Sequence, residues 1–130
     1  MSAYPLTTLA TLLVILVFAG FATVVSRART AYGIHAPAVT GNLDFERRHR
    51  VHMNTLEQMP VLLPLLWLTA VWIGDPWAGL AGLVWCVGRV IYARAYYRDA
   101  AKRDFGFFIG AVPVGAMLIA VIVAVIVRWV

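Results

Sequence analysis

The chain has 130 residues, of which 62% are hydrophobic and 13% charged, and its mean hydropathy is +0.83. Soluble domains carry roughly a quarter charged residues, so a water-soluble globular fold is excluded and a bilayer is the natural solvent. The net charge of +5 is accounted for by membrane topology and anionic headgroups, and it calls for no nucleic-acid partner.

The length suits one domain over residues 1–130, undivided by a linker, a low-complexity tract or a repeat. From Pro5 to Val25 no charge occurs, a run of about 31 Å as a helix against roughly 30 Å of hydrocarbon. The first basic residue, Arg27, follows this run, so it is read as helix one and not as a cleaved signal. The second apolar run, Met59 to Ile73, is too short to cross. Its helix must extend back through the polar stretch Asp44 to Gln58, and that polar half must be shielded from lipid. Pro60 and Pro64 free the carbonyls of Leu56 and Pro60, which predicts a kink. Helices three and four are expected from Trp77 to about Tyr97 and from Phe105 to Val127. The fold class is therefore an all-α integral membrane protein, a bundle of four transmembrane helices. Gly106 with Gly110, and Ala78 with Gly82, are small pairs that allow close helix approach.

Arg27, Arg29, Arg47, Arg48 and Arg50 flank the first connection, and Arg94, Arg98, Lys102 and Arg103 the third, whereas Gly74-Asp75-Pro76 has no basic residue. The first and third connections are expected on the cytoplasmic side and both termini on the other, against which only Arg128 counts. The lone Cys86 forms no intrachain disulfide or thiolate cluster. His35, His49 and His52 lack the i, i+4 spacing of a metal pair, so no metal is expected.

The polar residues inside the spans carry the chemistry. Arg47, Arg50, Asn54 and Glu57 share an arc of about 80° on helix two, and Arg89, Tyr92, Tyr96 and Arg103 one of about 60° on helix three if that helix runs on past the membrane surface. The two stripes are expected to face each other. A charge at the position of Arg89 costs at least about 2.5 kcal/mol in a membrane and must meet a partner or a polar cavity. One reading is structural: interhelical salt bridges such as Glu57 with Arg89, with other arginines reaching the headgroups. It leaves Arg29, Arg50 and Arg103 over, and a bound polyanion completes the charge balance more economically. The planar guanidinium fork suits carboxylates, Glu57 suits an ammonium, and Asn54 and the tyrosines supply neutral hydrogen bonds.

The run Asp44-Phe45-Glu46-Arg47-Arg48-His49-Arg50-Val51-His52-Met53-Asn54-Thr55-Leu56-Glu57 resembles the signature of the MAPEG family, membrane-associated proteins of eicosanoid and glutathione metabolism. A second block, Gly88-Arg89-Val90-Ile91-Tyr92-Ala93-Arg94-Ala95-Tyr96-Tyr97 with Arg103 behind it, is similar to the third-helix motif of the glutathione-using branch, that of the microsomal glutathione transferases and leukotriene C synthase. The resemblance implies a homotrimer with glutathione between neighbouring protomers near the cytoplasmic face. It carries Arg29, Arg50, Asn54, Glu57, Arg89, Tyr92 and Tyr96 onto glutathione contacts. Arg103 takes the place of the arginine that stabilises the glutathione thiolate. His52 stands where leukotriene C synthase has glutamine, and it retains one hydrogen bond to offer. Gln58 replaces a tyrosine and is left out of the site.

The implied activity is that of a glutathione transferase or peroxidase, serving detoxification, with glutathione as co-substrate. The second substrate is a lipophilic electrophile or lipid hydroperoxide arriving through the membrane lipids. Trp85 shares the face of Arg89 and either lines that route or simply packs. The alternative is a non-catalytic member that binds lipid or glutathione. A small four-helix drug exporter would call for an embedded acid in helix one, which has none.

Overall fold

A computed structural model describes residues 3–130, so the first two residues of the expected domain lie outside the described residues. The chain forms four long helices: α1 (Pro5–Tyr32), α2 (Leu43–Trp72), α3 (Asp75–Arg98) and α4 (Asp104–Trp129), with a single 3-10 turn at Ala100–Lys102 before α4. The four expected helices are all present, each somewhat longer than its apolar run.

Local chemistry sets the ends. Pro5 occupies the first turn of α1, where its missing amide leaves nothing unsatisfied. The free amides of Leu6 and Thr7 donate to the two carboxylate oxygens of Asp75, at 3.0 and 2.8 Å. An acid at the start of α3 thus caps the start of α1 and places the two helix ends side by side. The other end of α1 stops at Gly33, whose φ of 64° is left-handed. Asn42 starts α2 by accepting from the amides of Asp44 and Phe45 at 2.9 and 3.1 Å. The polar stretch from Asp44 to Gln58 is helical, and α2 continues unbroken through Pro60 and Pro64 to Trp72.

Three segments, Pro5–Tyr32, Asp75–Arg98 and Ala100–Trp129, are long and apolar enough to cross a membrane. Helix α2 has the length, at 30 residues, but its first half carries too much charge to qualify by composition.

α3 lies at the centre of the bundle, packed on the other three helices. Small residues let it sit close. A side chain at Gly106 of α4 would collide with the backbone of Tyr92, and one at Gly88 of α3 would come within 2.6 Å of the Gly110 amide. Gly82 faces Ala10 of α1 and Leu66 of α2 in the same manner. The main core gathers Val14, Leu62, Leu66, Trp85 and Met117. A second cluster, Phe21, Val51, Tyr92, Ala93 and Tyr96, lies toward the polar end. The outer face of α4 stays apolar and uncovered, with Phe105, Val112, Ile119 and Val127 exposed, as suits contact with lipid or another helix.

Candidate functional site

The polar end holds a cavity of about 460 Å³. Its wall on α2 is Glu46, Arg47, His49, Arg50 and Met53, and on α3 it is Tyr96. Arg50 is exposed and makes no hydrogen bond or ion pair among the described residues, so its fork is free for an incoming acceptor. Helix three ends at Arg98 and does not run on to Arg103, which instead precedes α4 after the 3-10 turn, and its guanidinium lies 5.7 Å from the centre of the Tyr96 ring. Tyr96 packs against Tyr92 with ring centres 5.5 Å apart. The Tyr92 hydroxyl in turn accepts a 2.7 Å hydrogen bond from the Asn54 amide. Contacts therefore join Asn54, Tyr92, Tyr96 and Arg103 across α2, α3 and the start of α4, with Arg50 on the same cavity.

Arg89 sits below this chain, 1% exposed. Its Nη2 donates to the Thr55 hydroxyl at 2.9 Å, and that hydroxyl donates to the Val51 carbonyl at 2.7 Å. The guanidinium also lies over two rings, 4.2 Å from the centre of Tyr92 and 5.9 Å from that of Trp85. The negative ring faces offset part of the buried charge, while Nε has no acceptor.

The Glu57–Arg89 salt bridge of the purely structural reading is not formed. Among the described residues the one ion pair is Arg47 with Asp44, at 3.9 Å. Glu57 is exposed and lines a separate space of about 210 Å³ with Gln58, Val61, Ala111 and Val114. The reason is helix rotation. The residues of α2 that face α3 are Val51, Thr55, Gln58 and Leu62, a row set about a quarter turn from the stripe of Arg47, Arg50, Asn54 and Glu57. The stripe thus runs along the edge of the α2–α3 contact, where Asn54 reaches across to Tyr92 and Arg47 donates to the Arg98 carbonyl at the end of α3, at 3.3 Å.

Arg29 and His52 also lie outside this cavity. Arg29 donates to the Ala38 carbonyl at 2.7 Å, covers the Phe45 ring at 4.9 Å, and borders a cavity of about 380 Å³ with Ser26 and His35. His52 stacks on Phe18 of α1, ring centres 4.7 Å apart. Trp85 is wholly buried, so packing is its role; its indole N–H donates to the Gln58 amide oxygen at 3.0 Å.

Gln58 and Thr55 are the polar partners that sequence reasoning did not single out. The signal was present, since both fall on the same helical row as Val51, Leu62 and Leu66, and a polar residue in a buried row needs a partner. Among the described residues no group of three or more metal-ligating side chains is gathered.

The MAPEG family profile matches residues 6–123. The chain is 48% identical over 99 residues to an uncharacterized protein of Synechocystis sp., covering 72% of each. It is 38% identical over 87 residues to microsomal glutathione S-transferase 2 of Homo sapiens, covering 67% of this chain and 59% of that protein. With leukotriene C4 synthase of Bos taurus it shares 37% over 93 residues, 72% of this chain and 62% of the synthase. The match thus spans less than two thirds of the length of the transferase and the synthase.

Replacing Thr55 by valine keeps the shape and removes the hydroxyl that Arg89 donates to. A loss of about 1–3 kcal/mol is expected, the cost of leaving a buried donor unmet, read as a lower melting temperature in detergent. The same change at Thr30, whose hydroxyl is exposed, should leave melting unchanged. Equal melting of the Thr55→Val variant and the parent would contradict this account of Arg89.

Proposed function

Because the chain belongs to the MAPEG family, we propose that it is a membrane-bound glutathione transferase that aims the glutathione thiolate at lipophilic electrophiles or lipid hydroperoxides. The observation that carries this is the line from the unpaired Arg50, through the cavity wall at Tyr96, to the Arg103 guanidinium above its ring. Four crossings are proposed, with the charged half of α2 shielded by protein. The first and third connections are cytoplasmic and both termini lie opposite, following the basic residues.

The position of the stripe argues for a site shared between copies. Arg50 and Glu57 face outward from one protomer, an arrangement too costly against lipid and suited to a neighbour. In a homotrimer the Arg29 and His52 surfaces, which do not line the cavity within one chain, join the site from the adjacent copy. Arg50 and Arg29 then hold glutathione carboxylates and Glu57 its ammonium. Asn54, Tyr92 and Tyr96 supply neutral hydrogen bonds, and Arg89 holds the Tyr92 ring from below.

Arg103 acts on the thiol. A free thiol has a pKa near 8.5, and an adjacent guanidinium favours the thiolate, which is the nucleophile. The thiolate sulfur bonds to the electrophilic carbon as the leaving group departs or a proton is taken up. With a hydroperoxide the sulfur attacks the O–O bond, and a second glutathione completes reduction to alcohol, water and glutathione disulfide. The protein supplies orientation and a fixed charge.

Arg103→Ala should cut turnover of a chlorinated aromatic electrophile by about 10²–10³ fold, as loss of a transition-state charge partner does. Glutathione affinity by calorimetry should stay within a few fold. Arg50→Ala should instead weaken binding strongly, because it removes a ligand to the ground state. Loss of binding in Arg103→Ala with unchanged turnover at saturating glutathione would reverse these roles. If the parent itself turns nothing over yet binds glutathione, the non-catalytic reading holds. For sidedness, single cysteines at Gly41 and Ala101 should escape a membrane-impermeant thiol reagent in intact cells, and labelling of either would invert the orientation.

A further inference from the structure

Away from that site, a second basic concavity of about 290 Å³ opens between α1 and α2, lined by Val24, Arg27, Ala28, Ala31, Tyr32 and Arg48. We propose that it binds the phosphate of an anionic glycerophospholipid, whose acyl root descends along Val24 toward the hydrocarbon while Ala28 and Ala31 wall the headgroup end. Neither arginine lines the proposed glutathione cavity, so this inference stands apart from the glutathione reading.

Its depth is right. Arg27 follows directly on the uncharged run Pro5 to Val25, which puts its guanidinium where the hydrocarbon ends and headgroup phosphates begin. Its chemistry is right as well. Arg27 is exposed and makes no hydrogen bond or ion pair among the described residues. Arg48 is held in place by donating to the Asp44 carbonyl at 2.7 Å and by the face of Tyr97, 5.5 Å from its guanidinium carbon. The Asp44 carboxylate, the acid beside it, is engaged by the Tyr32 hydroxyl at 3.3 Å and by Arg47 at 3.9 Å. Two cations from two helices thus flank a concavity without a carboxylate in its wall.

The apolar wall is what favours a lipid over a free anion. Inorganic phosphate gains nothing from the apolar wall at Val24, whereas the first methylenes of a lipid lose water against it. Basic pockets between spanning helices on a membrane face are a known setting for anionic headgroups.

The test is thermal melting of the purified full chain in neutral detergent, titrated with phosphatidylglycerol, with phosphatidylcholine, or with inorganic phosphate at matched phosphate concentration. Phosphatidylglycerol alone should raise the melting temperature in a saturable manner. Half-saturation should need about fivefold more lipid in Arg27→Gln, and about thirtyfold more in Arg27→Gln with Arg48→Gln. Arg27 makes no hydrogen bond or ion pair among the described residues, so its single variant reports on the site even if the double variant fails to fold. Equal stabilisation by phosphatidylcholine, the same effect from inorganic phosphate, or an unchanged half-saturation in Arg27→Gln would each overturn the proposal.

Discussion

A guanidinium that is 1% exposed in a helix apolar enough to cross a membrane has to find its partners within the chain, and Arg89 finds them on α2 and on its own helix. The Thr55 hydroxyl takes one N–H, and the Tyr92 and Trp85 rings lie beneath the charge. This contact fixes the rotation of α2 against α3, because Thr55 can face Arg89 only if Val51, Gln58 and Leu62 face inward too. Once that row is inward, Arg50 and Glu57 have to lie at the edge of the contact.

At the edge the stripe still meets α3. Asn54 bridges to Tyr92, Tyr92 packs on Tyr96, and Tyr96 lies under Arg103, so one rigid chain of contacts runs from the Arg89 layer toward the Arg103 connection. Arg50 and Glu57 flank this chain without being neutralised by it. A protein that put all its arginines into internal ion pairs would have no charge left for a ligand. Here Arg47 with Asp44 is the one such pair among the described residues, and the pair itself is long.

Much of the fold was legible in the residues themselves, for reasons that are local. Uncharged runs placed α1 and α4, and the shortness of the run Met59 to Ile73 required the polar stretch before it to be helical, as it is. The cost of a charge in an apolar span marked Arg89 as a residue in need of partners. The identity of those partners was not legible. Complementary charge pointed to Glu57, but helical period says which residues share a face and not which face meets the neighbour. The same gap hid the Gln58 to Trp85 hydrogen bond and the capping of α1 by Asp75 across 68 positions. Association between copies leaves no period in the sequence, and its proposal rests on the exposure of Glu57 and Arg50.

The central claim is that the charged end of this bundle holds glutathione as its thiolate. The direct measurement is a pH titration of the ultraviolet absorbance of the thiolate in the glutathione complex of the detergent-purified protein. The account predicts a bound thiol that ionises below the free value, near 8.5 for an ordinary thiol, and a return toward that value in the Arg103→Ala variant. A bound thiol that titrates where free glutathione does, or a depression that survives the loss of Arg103, would contradict it.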